Sequence, residues 1–156
     1  MRLYFFRHAI AYDQDDKIPD EERELTEEGI ARTKRAAQLL KDLGVAPDHL
    51  YTSPLKRCQQ TANILGRGLG VNVEVQPELA PGFNITAIES LTHNFSKEEI
   101  LFVGHEPDFS TTISSLTGGR VIMKRGSLAR VEVISRRPML GQLIWLIAPK
   151  IFEQLS

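Results

Sequence analysis

The chain has 156 residues, of which 42% are hydrophobic and 25% charged, and its formal net charge is −1. That length can bury one substantial core, so a single domain over residues 1–156 is expected, and the composition excludes a disordered or fibrous chain. The balanced charge excludes a broad field for nucleic acid or an anionic membrane, while a lone cysteine, Cys58, excludes an internal disulfide and a multi-cysteine metal cluster and favours the cytoplasm.

The apolar start at residues 1–6 gives way to Arg7 and His8 too soon for a signal-peptide core, and no run approaches the roughly 18 apolar residues of a membrane span. Leu3-Tyr4-Phe5-Phe6 is a continuous apolar run bounded by charge and predicts a buried first strand. Residues 13–24 are polar, contain Pro19 and predict an exposed loop beside whatever the strand end carries. Thr26 then predicts an N-cap, with Glu27 and Glu28 in the dipole-favoured first turn, Ile30, Ala37, Leu40 and Leu43 on the apolar face, and Gly44 as the stop.

His49-Leu50-Tyr51-Thr52 predicts a second strand, Ser53-Pro54 a break, and residues 56–69 a second helix that ends among Gly66, Gly68 and Gly70. A short strand over 71–75, a loop over 77–83 and a helix over 85–95 follow. Ile100-Leu101-Phe102-Val103 predicts a third buried strand, then Gly104-His105-Glu106-Pro107 leads into a helix ending at Gly118-Gly119. Two apolar runs at 128–134 and 142–147, split by Arg136-Arg137-Pro138, predict a closing hairpin. Strands alternating with helices, then a hairpin, predict a three-layer α/β/α sandwich with a largely parallel mixed central sheet.

In such a sheet, ligands bind beyond the carboxyl ends of the strands, where loops and helix amino termini converge. Arg7 and His8 directly follow the first strand, Ser53 and then Arg57 follow the second, and His105 follows the third. Two arginines suit a transferring phosphoryl group, because each offers a planar fork of donors to its oxygens, and a neutral imidazole is a competent nucleophile towards phosphorus. Ser53 reads either as a turn or cap residue or as a contributor to phosphate binding, and His105 standing alone would read as a turn residue.

The segment ending Phe6-Arg7-His8-Ala9 resembles the Arg-His-Gly motif that opens the histidine phosphatase superfamily. Leu25-Thr26-Glu27-Glu28-Gly29 is similar to that superfamily's first-helix motif, Ser53-Pro54-Leu55-Lys56-Arg57 through Thr61 to its Ser-Pro-x-x-Arg-x-x-x-Thr segment, and Val103-Gly104-His105 to its second histidine. The short chain without long insertions most resembles the SixA-like phosphohistidine phosphatases. The resemblance implies His8 as the phosphorylated nucleophile, Arg7, Arg57 and His105 as the phosphoryl-binding set, no cofactor, no metal, and a phosphohistidine-bearing protein, such as a histidine phosphotransfer domain, as the partner.

Two positions depart from the pattern. Ala9 replaces the motif's glycine, and Pro81 stands about where ester-hydrolysing members carry an acidic proton donor, leaving Glu78, Glu106 and Asp108 as candidates. A phosphate ester needs that acid to expel an alkoxide, whereas imidazole leaving from phosphohistidine, with a conjugate-acid pKa of roughly 6.5, does not. Alternatives are a general small-molecule phosphomonoesterase and a non-catalytic phosphoprotein-binding module. His49 and His93 lack strand-end placement, the glycines at 66, 68 and 70 follow a helix rather than a strand and so read as helix termination, and Asp13, Asp15 and Asp16 read as a solvated charge run. The position six after Cys58 is Ile64 rather than arginine, which excludes a cysteine-based phosphatase loop.

Overall fold

The computed structural model describes residues 1–154. Along the chain run β1 (Arg2–Arg7), a 3-10 turn (Asp20–Glu22), α1 (Glu27–Asp42), β2 (His49–Thr52), α2 (Lys56–Leu69), β3 (Val73–Val75), a second 3-10 turn (Pro77–Leu79), α3 (Ile85–Thr92), β4 (Glu99–Gly104), α4 (Asp108–Thr117), β5 (Leu128–Arg136), β6 (Met139–Ile147) and α5 (Pro149–Gln154). The sheet order is β3-β2-β4-β1-β5-β6. The first four in that order pair in parallel and the β5-β6 hairpin adds antiparallel to β1, so the sheet is mixed and largely parallel, as expected.

The central strands are apolar on both faces because helices cover both. Leu3 and Phe5 of β1, with Ile100 and Phe102 of β4, pack with Ile88 of α3 and Phe109, Ile113 and Leu116 of α4. The alternate residues Tyr4, Phe6, Leu101 and Val103 face the other way, onto Ala36, Ala37 and Leu40 of α1, Cys58, Ala62 and Leu65 of α2 and Phe152 of α5. Full burial of each large apolar side chain contributes roughly 1.5–3 kcal/mol, so β1 and β4 anchor the fold and give their carboxyl ends a rigid base.

Thr26 caps α1 by accepting from Gly29 N at 3.0 Å, worth about 1 kcal/mol. Gly29 is required for a second reason: a Cβ there would stand 2.2 Å from Ile10 O, so only glycine lets α1 begin against the chain leaving β1. Gly70, at φ 71°, closes α2 with its N–H on Gly66 O, as the helix-termination reading requires. Four differences from expectation stand out. β3 and α3 are shorter than predicted, the hairpin strands are longer, extending through Arg136 and from Met139, Leu43 is the exposed C-cap of α1 rather than part of its apolar face, and α5, which begins at Pro149, has no counterpart in the sequence pattern. Phe152 explains α5, since its burial against the sheet stabilises a helix too short to persist alone.

Candidate active site

β1 and β4 are adjacent and parallel with Arg7 opposite Gly104, so the next residues, His8 and His105, emerge side by side. Their ring centroids are 5.5 Å apart, and His8 N donates to Gly104 O at 3.0 Å. Arg57, in the first turn of α2, reaches the same point: its Nε donates to His8 Nε2 at 3.4 Å. Arg7 ends β1, and its Nε is buried without a hydrogen-bond partner among the described residues. These four side chains line one cleft of about 320 Å³, together with Arg23, Arg125, Glu106 and Asp108. The cleft holds cations on several sides and two imidazoles at its base.

The tautomer of His8 follows from its partner. Nδ1 lies 2.8 Å from Ala9 O, which can only accept, so Nδ1 carries the proton and Nε2 keeps its lone pair. Burial pushes the His8 pKa down to about 3, and the charges of Arg57 and Arg7 and the nearby His105 add to it. His105 is lowered to about 4, again by burial first and then by Arg57. Both rings are neutral at neutral pH, the form in which an imidazole has a lone pair to offer.

Behind these residues lies a buried frame. Ser53 is fully buried, and its Oγ sits 2.7 Å from His105 Nε2 while accepting from Leu55 N. It stands behind His105 rather than on the cleft wall. Thr61 Oγ1 donates to Arg57 O and accepts from Ala9 N, tying α2 to the strand end. Cys58 Sγ is 3.4 Å from His105 Nε2, and burial raises its thiol to about 12, so it packs as a neutral group. Ala9 needs no special backbone, since no residue other than glycine has positive φ among those described.

The candidate acids divide. Glu78 is exposed and outside the cleft lining. Glu106 and Asp108 line it, but the Glu106 carboxylate accepts from Ser110 N at 2.8 Å and from Ser110 Oγ, and Asp108 Oδ2 accepts from Gly82 N at 2.8 Å. The latter bond fastens the Pro81-Gly82 turn to the start of α4. Asp20 also reaches the site, with no sequence motif to mark it. Its backbone O accepts from Arg57 Nη1 at 2.9 Å and its Oδ2 from Nη2 at 3.3 Å, while Arg23 Nε donates to Oδ1 at 2.8 Å. Burial alone would raise the Asp20 pKa, but the hydrogen bond from Arg23 and the charges of Arg57 and Arg23 outweigh it and hold the carboxyl below its usual value. Asp20, Arg23 and Arg125 sit in loops at no fixed offset from a strand end, so no periodic signal marks them.

A profile of the histidine phosphatase superfamily (branch 1) matches residues 3–83, just over half of the chain. The chain belongs to the histidine phosphatase superfamily. An uncharacterized protein of Picosynechococcus sp. is 38% identical to it over 96% of this chain and 98% of that one. Among solved structures, the protein histidine phosphatase SixA in complex with tungstate superposes with a TM-score of 0.85 at 24% identity, covering all of both chains. A mycobacterial glucosyl-3-phosphoglycerate phosphatase superposes with a TM-score of 0.74 at 16% identity over 92% of this chain and 96% of that one. The fold is therefore that of the histidine phosphatases, and phosphatase chemistry is the activity this superfamily membership supports. Among the described residues no helix is long and apolar enough to cross a membrane.

His49 and His93 stay outside the cleft. His49 stacks on Phe95 at 4.5 Å between centroids, and His93 is exposed with its ring on Ser90 O. A larger hollow of about 470 Å³, lined by Met1, His93, Phe95 and Arg136, lies at the amino-terminal end of β1, away from the strand ends that carry His8 and His105.

Proposed function

We propose that the chain is a metal-independent phosphohistidine phosphatase, acting as one domain in the cytoplasm on a phosphohistidine displayed by another protein. One observation carries the reading: a buried, neutral imidazole whose Nδ1–H is committed to a carbonyl, leaving the Nε2 electron pair with only a long 3.4 Å donation from Arg57 Nε.

In the first step His8 Nε2 attacks phosphorus, a P–N bond forms to His8, and the P–N bond to the substrate imidazole breaks. The departing ring takes its proton from solvent. Water then attacks phospho-His8, the P–N bond breaks, and inorganic phosphate leaves with His8 restored. Arg7 and Arg57 stabilise charge on the equatorial oxygens in both steps, and His105 donates one N–H to them. Ser53 and Thr61 act through their neighbours, holding His105 and Arg57 in place. Arginine cations supply the charge compensation that a metal would otherwise provide, so turnover should survive a chelator.

The engaged state of the cleft carboxylates favours phosphohistidine over an ester. Glu106 and Asp108 both spend oxygens on backbone N–H groups of the scaffold, so those oxygens are turned to the scaffold rather than towards a leaving group. The second reading, a small-molecule phosphomonoesterase, rests on the presence of Glu106 in the cleft lining. The test is an assay of wild type and His8→Ala on a phosphohistidine protein and on an aryl phosphate, with chelator present. Dephosphorylation of the protein by wild type alone is expected, with His8→Ala down on the order of 10⁴-fold or more. Full activity in a folded His8→Ala variant would overturn the mechanism, activity on the aryl ester alone would establish the second reading, and binding without turnover would indicate a non-catalytic module.

A further inference from the structure

The two walls of the cleft mouth carry opposite charge. On one side, residues 13–24 hold seven acidic side chains against two basic ones. On the other, residues 118–126 hold Arg120, Lys124 and Arg125 and no acid. Each wall is hitched to one of the two arginines proposed to grip phosphate. Arg57 holds the acidic wall through both the backbone and the side chain of Asp20. Arg7 holds the basic wall, since its Nη1 donates to Met123 O at 2.8 Å while Gly126 N donates back to the carbonyls of Arg7 and His8.

The basic wall is a built strap rather than a loose turn. Met123 is buried in the core and Val121 packs against it, while Arg120, Ile122, Lys124 and Arg125 face outward. Ile122 is 79% exposed, the most exposed large apolar residue described, and the three cations of the strap have no ion-pair partner among the described residues. Arg23 and Lys56, by contrast, are each paired with an acid of the opposite wall. Tyr12, 56% exposed, and Ile18, 49% exposed, give that wall apolar points of its own. An isoleucine held out between unpaired cations, at the rim of a site, suits contact with a partner whose surface is both apolar and acidic.

We infer that the 118–126 strap is the docking surface for the phosphohistidine-bearing protein, engaging an acidic patch with an apolar centre beside the phosphorylated residue, while the 13–24 wall turns away partners of the wrong charge arrangement. The inference rests on the phosphohistidine phosphatase reading and extends it from the reacting group to the protein that carries it. At physiological ionic strength charges are screened beyond about 8 Å, so each wall acts on the partner surface directly above it, and steering by the strap appears in the association step.

The test uses Ile122→Asp and Lys124→Glu, singly and together, residues that touch none of the proposed phosphate-binding groups with their side chains. The substrates are a histidine phosphotransfer domain phosphorylated on its histidine, and phosphoimidazole as a substrate with no protein surface. The double variant should lose about tenfold or more in kcat/KM on the phosphoprotein, mainly through KM, with phosphoimidazole turnover within twofold of wild type. Added salt should lower wild-type kcat/KM on the phosphoprotein and affect the variant less, and a lysine placed in the partner's acidic patch should rescue Lys124→Glu. Unchanged phosphoprotein kinetics in the double variant would overturn the docking role while leaving the phosphatase reading intact. Equal losses on both substrates would also overturn it, showing that the strap acts only by holding Arg7. Wild-type turnover of phosphoimidazole without turnover of the phosphoprotein would point to a small anionic substrate and end the inference, and turnover of neither would remove the phosphatase reading together with it.

Discussion

The base of the cleft and its rim are built on different principles. At the base, His8, Arg57 and His105 are each no more than 7% exposed and are held by backbone carbonyls, Ser53 Oγ, Thr61 Oγ1 and one another. At the rim, two loops of opposite charge stand in solvent, one laced by ion pairs and one left with its cations unpaired. A base of this kind fixes a reaction and tolerates little change. A rim of this kind can vary its partner without disturbing the chemistry, because its exposed side chains stand apart from the anchors at Arg7, Arg57 and Gly126 N that join the two levels.

That separation can be broken from either side. After His8→Ala, the largest effect is expected for Arg57→Ala, which removes a proposed donor to the transferring phosphoryl group; kcat should fall roughly 10²–10³-fold on every substrate. A loss confined to protein substrates would move Arg57 from base to rim. Next comes a stability cost paid only at the base. Because the His8 pKa is depressed to about 3 in the folded chain, the unfolded chain takes up the proton first as pH falls below about 6.5. Stability is therefore fully present above that pH and drains away towards pH 3, with about 2 kcal/mol from His8 gone by pH 5. Denaturant unfolding at pH 7 and pH 5 should show this loss in wild type, and His8→Gln should be less pH-sensitive by that amount.

Asp20→Asn tests the link between the levels. The Asp20 carboxylate occupies an Arg57 N–H that an incoming phosphate would use, so its neutralisation should tighten inorganic phosphate or tungstate binding by a few-fold, read by calorimetry. Weaker binding would mean that Asp20 chiefly positions Arg57. The smallest effect belongs to Ala9→Gly, which restores the motif glycine. Since Ala9 already has an ordinary backbone and is buried against Ala11 and Leu25, activity should stay within about twofold, with up to about 1 kcal/mol lost in thermal unfolding through added chain freedom.

Much of this was readable in one dimension because it depends on period and on position relative to strand ends. The apolar runs at 3–6 and 100–103 mark β1 and β4, and the second residue after each run is one of the paired histidines. Ser53 was legible as a residue near the site, but only its full burial shows it supporting His105 rather than facing the cleft. Glu106 and Asp108 were legible as nearby acids, whereas their commitment to Ser110 and Gly82 depends on how α4 starts and where the 81–82 turn lands.

The sequence by itself determined the alternating α/β order, the two-sided burial of the central strands, and the arrival of Arg7, His8, Arg57 and His105 at one edge, because local periodicity and strand-end placement are short-range properties. Only the tertiary structure decided which way His8 is protonated, that Asp20 returns to Arg57 across 37 positions of chain, and that two loops of opposite net charge, far apart in sequence, both reach the cleft, through Arg23 and Arg125. Those outcomes rest on long-range contacts and on burial, which sets both the protonation of the imidazoles and the reach of each charge, and no local pattern of residues encodes either.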